Sequence, residues 1–264
     1  MQNEVELLLS RLGGRAACAA ISQEQAGPRV LVEINPGAVF PAASLAKVPI
    51  LVELARRLAR PDCEYSWETR LEVPNEARVA SDGVLADLSP DLRPTIQDVA
   101  HLMITISDNT ASNMLLDLLG MEAINATMRE LGLRETRLER RFIDFEARRA
   151  GRDNWTTAAE MVQLFEHIYH GRVPERDRLI KMLLRQNHYE LLSAYWGEDE
   201  PFAHKTGGLA GIKHDAGILF RALDNWQQPL IIAALTSEQP DLPLAQLHLA
   251  RVGRVLRQSW LREL

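Results

Sequence analysis

The chain has 264 residues, 46% of them hydrophobic and 25% charged, so it is long enough for one large domain or two interlocked ones with a sizeable core. Its formal net charge of −6 argues against a general nucleic-acid-binding protein, and no lysine-rich patch reverses that balance. No apolar run reaches the roughly 18 residues of a membrane-spanning helix, so the sequence predicts no membrane span.

Hydrophobic periodicity and turn residues predict the order helix, two strands, a helical block, three strands and a final helix. The predicted elements before the block are a helix over 4–12 and strands over 15–22 and 29–34. The predicted helices of the block cover 44–59, 95–106, 110–119, 156–169 and 175–185. The predicted elements of the last third are strands over 203–206, 216–222 and 230–236 and a helix over 243–261.

This order predicts an α/β protein of the α+β type, in which strands from both chain ends form one antiparallel sheet flanked by helices. We expect residues 1–43 and 190–264 to form the sheet domain and residues 44–189 to form an inserted all-helical domain. The active site is expected in the cleft between these two domains.

Lysine is rare in this chain, and two of its lysines lie in short motifs. The 30 basic residues include only four lysines. The motifs are S-x-x-K at Ser44-Leu45-Ala46-Lys47, S-D-N at Ser107-Asp108-Asn109 and K-T-G at Lys205-Thr206-Gly207. A desolvated lysine can lose its proton and act as a base, which arginine effectively cannot do. S-x-x-K arises about once by chance in such a chain, whereas S-D-N and K-T-G each arise in roughly one such chain in twenty, so the ordered set is informative.

The order of the motifs, with 63 residues from Ser44 to Ser107 and 98 from Ser107 to Lys205, resembles the class A β-lactamases and penicillin-recognising serine hydrolases. The resemblance covers nearly the whole chain, and residues 103–113 are similar to the S-D-N helix and flank of that family. It implies the β-lactamase and transpeptidase-like fold. It also implies a hydrolase that is acylated at Ser44 by a β-lactam and opens the amide bond of the ring.

The residues themselves suit this chemistry. Ser44 and Lys47 are three apart on a predicted helix, so they share one face, and Lys47 can take the hydroxyl proton of Ser44. The N–H of Ser44, at the helix start, can form half of an oxyanion hole. The resemblance implies the remaining roles: Gly208 as second oxyanion donor, Ser107 as proton relay to the leaving nitrogen, Asn109 as holder of Lys47 and the substrate amide, and Lys205, Thr206 and Gly207 as the carboxylate-binding strand.

The chain departs from the family in the loop that carries the deacylating glutamate. Class A enzymes have a glutamate there, four residues before an asparagine, to activate the water that clears the acyl-enzyme. Aligning from Leu138 places Arg141 or Phe142 at the glutamate position, and no Glu-x-x-x-Asn pair follows. Acylation is therefore expected to survive, whereas rapid deacylation is in doubt.

Two carboxylates near this position are candidates to replace the missing glutamate. Asp144 and Glu146 follow within the same stretch and can position water if the loop is rebuilt. The alternative, equally open, is that both pair with one of the arginines at 148, 149 or 152. A second open choice concerns Lys213 and His214 after K-T-G, which either add positive charge for a substrate carboxylate or only form a hairpin connection.

No cofactor and no metal are expected, because the chain lacks H-E-x-x-H, P-loop and G-x-G-x-x-G motifs. The expected partner is a small β-lactam or a D-alanyl peptide-like substrate, bound by a monomer. The N-terminus lacks the basic start and apolar core of a signal peptide, so the location is cytoplasmic if this is the full chain, and periplasmic or secreted if a leader was removed. Two rivals stay open: a D-alanyl peptidase or esterase on the same fold, and a β-lactam-binding receptor that does not hydrolyse.

Overall fold

The computed structural model describes residues 1–197 and 200–262. The helices of these residues are α1 (Gln2–Leu9), α2 (Lys47–Leu58), α3 (Ile96–Thr105), α4 (Asn109–Leu119), α5 (Met121–Glu130), α6 (Phe145–Arg149), α7 (Ala158–Tyr169), α8 (Arg176–Leu183) and α9 (Leu242–Arg262). The strands are β1 (Arg15–Glu24), β2 (Gly27–Ile34), β3 (Phe40–Pro41), β4 (Trp155–Thr156), β5 (Phe202–Leu209), β6 (Ile212–Leu219) and β7 (Leu230–Ser237). Among the described residues, no helix has the length and apolar character needed to cross a membrane.

Five strands form one sheet in the order β2-β1-β7-β6-β5, and every neighbouring pair is antiparallel. The pairing of β1 with β7, in which Ser22 faces Leu230, joins the two ends of the chain in the middle of the sheet. The α+β class and the antiparallel sheet from both chain ends are therefore confirmed. The strand that carries K-T-G, β5, lies at one edge, where it is open to the helical block.

Strands β1, β6 and β7 are buried on both faces, and successive residues of a strand face opposite sides. In β1, Ala17 and Ala19 pack into the core shared with the helical block, whereas Cys18 and Ala20 pack into the core beneath α1 and α9. This explains why the strands read as continuous apolar runs. The first of these two cores contains residues of both the sheet and the helical block, so the division into domains at 43/44 and 189/190 stays a prediction. Residues 198–199 and 263–264 of the expected sheet domain lie outside the described residues.

Local signals explain the positions of the helices next to the motifs. Thr95 and Asp98 form the capping box that the sequence predicts at the start of α3. The predicted helix from Ser44 instead begins as a 3-10 turn, Ala43–Ala46, and becomes α-helical only at Lys47. Helices α5 and α6 and the two-residue pair β3 and β4 are additions to the predicted set.

Candidate active site

Ser44 lies in the 3-10 turn at the start of α2, on a tightly held segment. Ala43, just before it, adopts the left-handed φ of +47°, which is uncommon for a residue with a side chain. The N–H of Ala42 donates a 2.6 Å hydrogen bond to the carbonyl of Asn154. On the other side, a Cβ at Gly207 would lie 3.3 Å from the Ala42 carbonyl oxygen and 3.4 Å from the Ala43 Cβ. Glycine at position 207 thus lets β5 approach the nucleophile segment closely.

Lys47 is fully buried, and its Nζ uses all three of its hydrogens on the S-D-N motif. It donates to the Ser107 carbonyl at 2.6 Å, to the Ser107 Oγ at 3.0 Å and to the Asn109 Oδ1 at 2.8 Å. Burial and then the nearby Lys205 ammonium hold the pKa of Lys47 well below its usual range. A neutral amine donates only two of these bonds, which leaves its lone pair for a hydroxyl proton.

Ser107 joins the two motif lysines through one hydroxyl. Lys205, also fully buried, donates to the Ser107 Oγ at 3.2 Å and to the Thr206 carbonyl at 3.0 Å. Burial lowers the pKa of Lys205 to about 7, although the charges of Asp215, Glu190 and Asp82 oppose that shift. Ser107 has a left-handed φ of +59°, a conformation that is retained only where the surroundings enforce it.

Asp108, the middle residue of S-D-N, has a structural role that the sequence analysis did not assign. Its Oδ1 caps α4 by accepting from the Ala111 N–H, and its Oδ2 accepts from the N–H groups of Val84 and Leu85. Gly83 makes this contact possible, because its φ is +113° and a Cβ there would lie 2.4 Å from the Asp108 carboxylate. The carboxylate thereby fixes the loop before α3 against the start of α4.

These groups surround a cleft of about 230 Å³. Its lining consists of Ser44, Asp82, Ser107, His188, Glu190, Leu191, Thr206, Gly207, Gly208 and Lys213. Ser44 therefore lines the same cleft as the predicted substrate-binding residues of β5. Lys47 and Lys205 do not line it, but both donate hydrogen bonds to the hydroxyl of Ser107, which does. Of the pair left open after K-T-G, Lys213 lines the cleft, whereas buried His214 holds β6 to the Pro41 carbonyl at 2.8 Å.

Phe142 occupies the place beside Lys47 where the resemblance predicts a glutamate. Its ring is buried, with the centroid 4.9 Å from the Lys47 Nζ. Asn113 holds its main chain at both ends, by accepting from the Phe142 N–H at 2.9 Å and by donating to the Phe142 carbonyl at 3.2 Å. The structure thus selects Phe142 over Arg141, and it places an aromatic ring rather than a carboxylate against the lysine.

Neither proposed substitute for the glutamate lines the cleft. The Asp144 carboxylate caps α6 by accepting from the Ala147 N–H at 2.9 Å, and Glu146 is exposed on the same short helix. Arg148, one of the arginines suggested as their partner, pairs with Asp153 instead, at 3.1 Å. Their part in deacylation stays a prediction that the geometry does not support.

The loop that carries Phe142 is closed at its base by a buried ion pair. Arg140 and Asp153, each with only 5% of its side chain exposed, approach to 2.7 Å. Asn154 adds to the closure, because its Oδ1 accepts from the N–H groups of Glu139 and Arg140. The same Asn154 bonds the segment before Ser44, so the loop and the nucleophile are positioned together.

This arrangement defines a serine hydrolase with two buried lysines at one cleft. The sequence model of the β-lactamase enzyme family matches residues 4–260, and the chain belongs to that family. As a member it is a class A-type serine hydrolase that acts on the amide bond of the β-lactam ring.

Three relatives show the range of proteins that this chain resembles. A β-lactamase from Sphaerobacter thermophilus superposes with a TM-score of 0.86 at 25% identity, over 98% of this chain and 97% of that one. PBP-A superposes with a TM-score of 0.85 at 28% identity, over 99% and 96%, and a mutant of it is known as an acyl-enzyme complex with penicillin G. The β-lactamase regulatory protein BlaB of Streptomyces cacaoi is 23% identical over 87% of this chain and 88% of its own length.

Proposed function

We propose that β-lactams acylate Ser44 rapidly and that hydrolysis of the resulting ester limits turnover. The observation that carries the first half is the pair of buried lysines on one hydroxyl, that of Ser107, at the floor of the cleft that holds Ser44. The observation that carries the second half is Phe142, which places an aromatic ring against Lys47 at the position where the family carries its deacylating glutamate.

Acylation begins when the neutral amine of Lys47 takes the proton of the Ser44 hydroxyl, and the Ser44 oxygen attacks the ring carbonyl. The carbonyl oxygen becomes an oxyanion, which the N–H groups of Ser44 and Gly208 stabilise. The C–N bond of the ring then breaks. The nitrogen takes the proton of the Ser107 hydroxyl, and Ser107 recovers a proton from the Lys47 ammonium, so the lysine ends neutral and ready for a second cycle.

Binding of the substrate carboxylate falls to the positive end of the cleft. Lys205 and Thr206 lie on the strand that lines it, and Lys213 adds a second ammonium from β6. Burial lowers the pKa of Lys205 to about 7, so its charge is sensitive to what binds beside it. A bound carboxylate favours its charged form, so substrate binding and protonation of Lys205 reinforce each other.

Deacylation needs a base that directs water at the Ser44 ester. A positioned base contributes about 10²- to 10⁴-fold to such a step. Phe142 has no group that can take a proton, and Asp144 and Glu146 do not line the cleft. We therefore infer that deacylation lacks the positioned base of the family and that the acyl-enzyme accumulates. The same arrangement supports the second candidate, a penicillin-binding receptor or D-alanyl peptidase, to the extent that the ester persists.

The experiment follows benzylpenicillin turnover and the intact mass of the protein together. Ring opening loses no atom, so acylation adds the mass of the whole antibiotic. We expect a rapid mass increase, then slow release of the opened product. Ser44→Ala abolishes the adduct, whereas Ser89→Ala, a change at an exposed serine, leaves it. An adduct on Ser44→Ala would overturn the assignment of the nucleophile, and an adduct that never releases product would favour the receptor.

A further inference from the structure

The cleft contains carboxylates that the proposed reaction does not use. Asp82 and Glu190 line it together with Ser44 and Ser107. Among the described residues, neither carboxylate has a cationic group within the 4.0 Å of an ion pair. Both carboxylates act electrostatically on buried Lys205, and Asp82 also acts on Lys47, so the cleft presents negative as well as positive charge to a substrate.

Asp82 is held at a defined place by Asn109. The Asn109 N–H donates to the Asp82 carbonyl at 3.3 Å, and the Asn109 Nδ2 donates to the Ser81 Oγ at 2.9 Å. The next residue, Gly83, is packed against the Asp108 carboxylate. The main chain of Asp82 is thus fixed on both sides, while its side chain is exposed to solvent and lines the cleft.

The two ends of a β-lactam differ in chemistry, and this difference decides which end lies beside Asp82. The ring carries a carboxylate at one end, which Lys205 and Lys213 attract, and an acylamino substituent at the other. Asn109 Oδ1 is occupied by Lys47, but the Nδ2 has one hydrogen left after its bond to Ser81, and that hydrogen suits the carbonyl of an acylamino group. The acylamino substituent therefore extends beside Asn109 toward Asp82.

We propose that Asp82 is a specificity-determining residue that favours β-lactams whose acylamino substituent carries a positive charge. The proposal rests on the proposed function, because it assigns the substrate class of the same acylation site. An exposed carboxylate attracts a nearby ammonium and repels a carboxylate by a modest amount, and exposed charge pairs change an equilibrium by roughly 1.5- to 5-fold. Salt weakens this effect, since such charges are screened within about 10 Å at 0.1 M.

Three penicillins with the same phenyl side chain test the proposal: ampicillin, which adds an ammonium, benzylpenicillin, which adds no charge, and carbenicillin, which adds a carboxylate. The second-order rate constant of Ser44 acylation is measured for each by intact mass, at low salt and at a pH where the ampicillin amine is protonated. We expect the order ampicillin, benzylpenicillin, carbenicillin, with about threefold between neighbours.

Asp82→Asn should bring the ampicillin-to-carbenicillin ratio close to one, and Asp82→Lys should invert it. The matched control is Asp87→Asn, which removes the same charge from an exposed position of the same loop and should keep the wild-type ratio. Ratios that are equal for wild type and Asp82→Asn would overturn the role of Asp82 while the acylation site stands. Failure of all three penicillins to acylate the wild type would instead overturn the proposed function.

Discussion

Replacing Phe142 by glutamate tests whether the missing carboxylate limits turnover. The ring centroid is 4.9 Å from the Lys47 Nζ, and Asn113 fixes the main chain of residue 142 whatever its side chain. A carboxylate at about 5 Å from an ammonium interacts by about 3 kcal/mol at an effective dielectric constant of 20. Phe142→Glu should therefore raise the pKa of Lys47, slow acylation by Lys47 and supply a base for deacylation.

We expect deacylation to accelerate by about 10²- to 10⁴-fold, the usual contribution of a positioned base and about 3–5 kcal/mol of barrier. The stability cost has two parts: part of the roughly 3–5 kcal/mol of truncating a buried phenylalanine, since glutamate keeps some of the volume, and the desolvation of the carboxylate, which the Lys47 ammonium offsets. The assay forms the adduct with benzylpenicillin, removes free antibiotic and follows loss of the added mass.

Phe142→Gln is the matched control, since it has the shape of the glutamate without its charge. Adding Glu146→Asn restores the asparagine four residues on, at an exposed position where no packing is lost. A folded Phe142→Glu protein that releases product only as fast as Phe142→Gln would refute the reasoning, because the loop would then not place residue 142 near the ester.

Two further predictions follow from the buried charges. Acylation by benzylpenicillin, measured between about pH 5 and pH 9, should rise as Lys47 loses its proton and fall above about pH 7 as Lys205 loses the proton that attracts the substrate carboxylate. Lys205→Arg, which keeps its charge, should move the falling limb to higher pH; an unchanged limb would assign it to another group. Arg140→Ala should lower the free energy of unfolding by about 1–3 kcal/mol, because it removes one of the two cations paired with buried Asp153 and leaves the pair with Arg148. Arg129→Ala, which breaks an exposed pair with Glu122, should cost at most about 1 kcal/mol, and equal losses in denaturant titrations would contradict the argument.

The parts of this protein that the sequence predicts well are those governed by local pattern. The apolar runs of β1 and β7 and the capping box at Thr95 follow from periodicity and from hydrogen bonding within one turn. Strands β3 and β4 have two residues each, which is too short for any period to appear. Helix α5 is absent from the predicted set although Ile124, Thr127 and Met128 have helical spacing, because Gly120 both ends α4 and begins α5, and a glycine after a helix is typical of its end.

The features that the sequence does not predict are contacts between segments that lie far apart in the chain. Spacing leaves Arg141 and Phe142 as equal candidates beside Lys47, and only the bonds from Asn113, 29 residues earlier, decide between them. Nothing in the sequence marks Asp82 as a cleft residue, because its place depends on Asn109, which bonds Asp82 and also Ser81, 28 residues earlier. Motifs indicate which chemical groups come together in the active site. The other residues that line the cleft are positioned by the packing of loops that carry no motif.

The pairing of β1 with β7 has a consequence for how the protein is made. The ribosome completes Ser22 long before Leu230, its partner in the sheet, and at about 5–20 residues per second the interval is roughly 10–40 s. During that time the β1–β2 hairpin has an apolar strand with an open edge, the kind of surface that associates with other chains. The sheet therefore closes only after translation of the last strands, because β1 pairs with β7 along the edge that β2 leaves open. The centre of the finished sheet is the last part of it to be assembled.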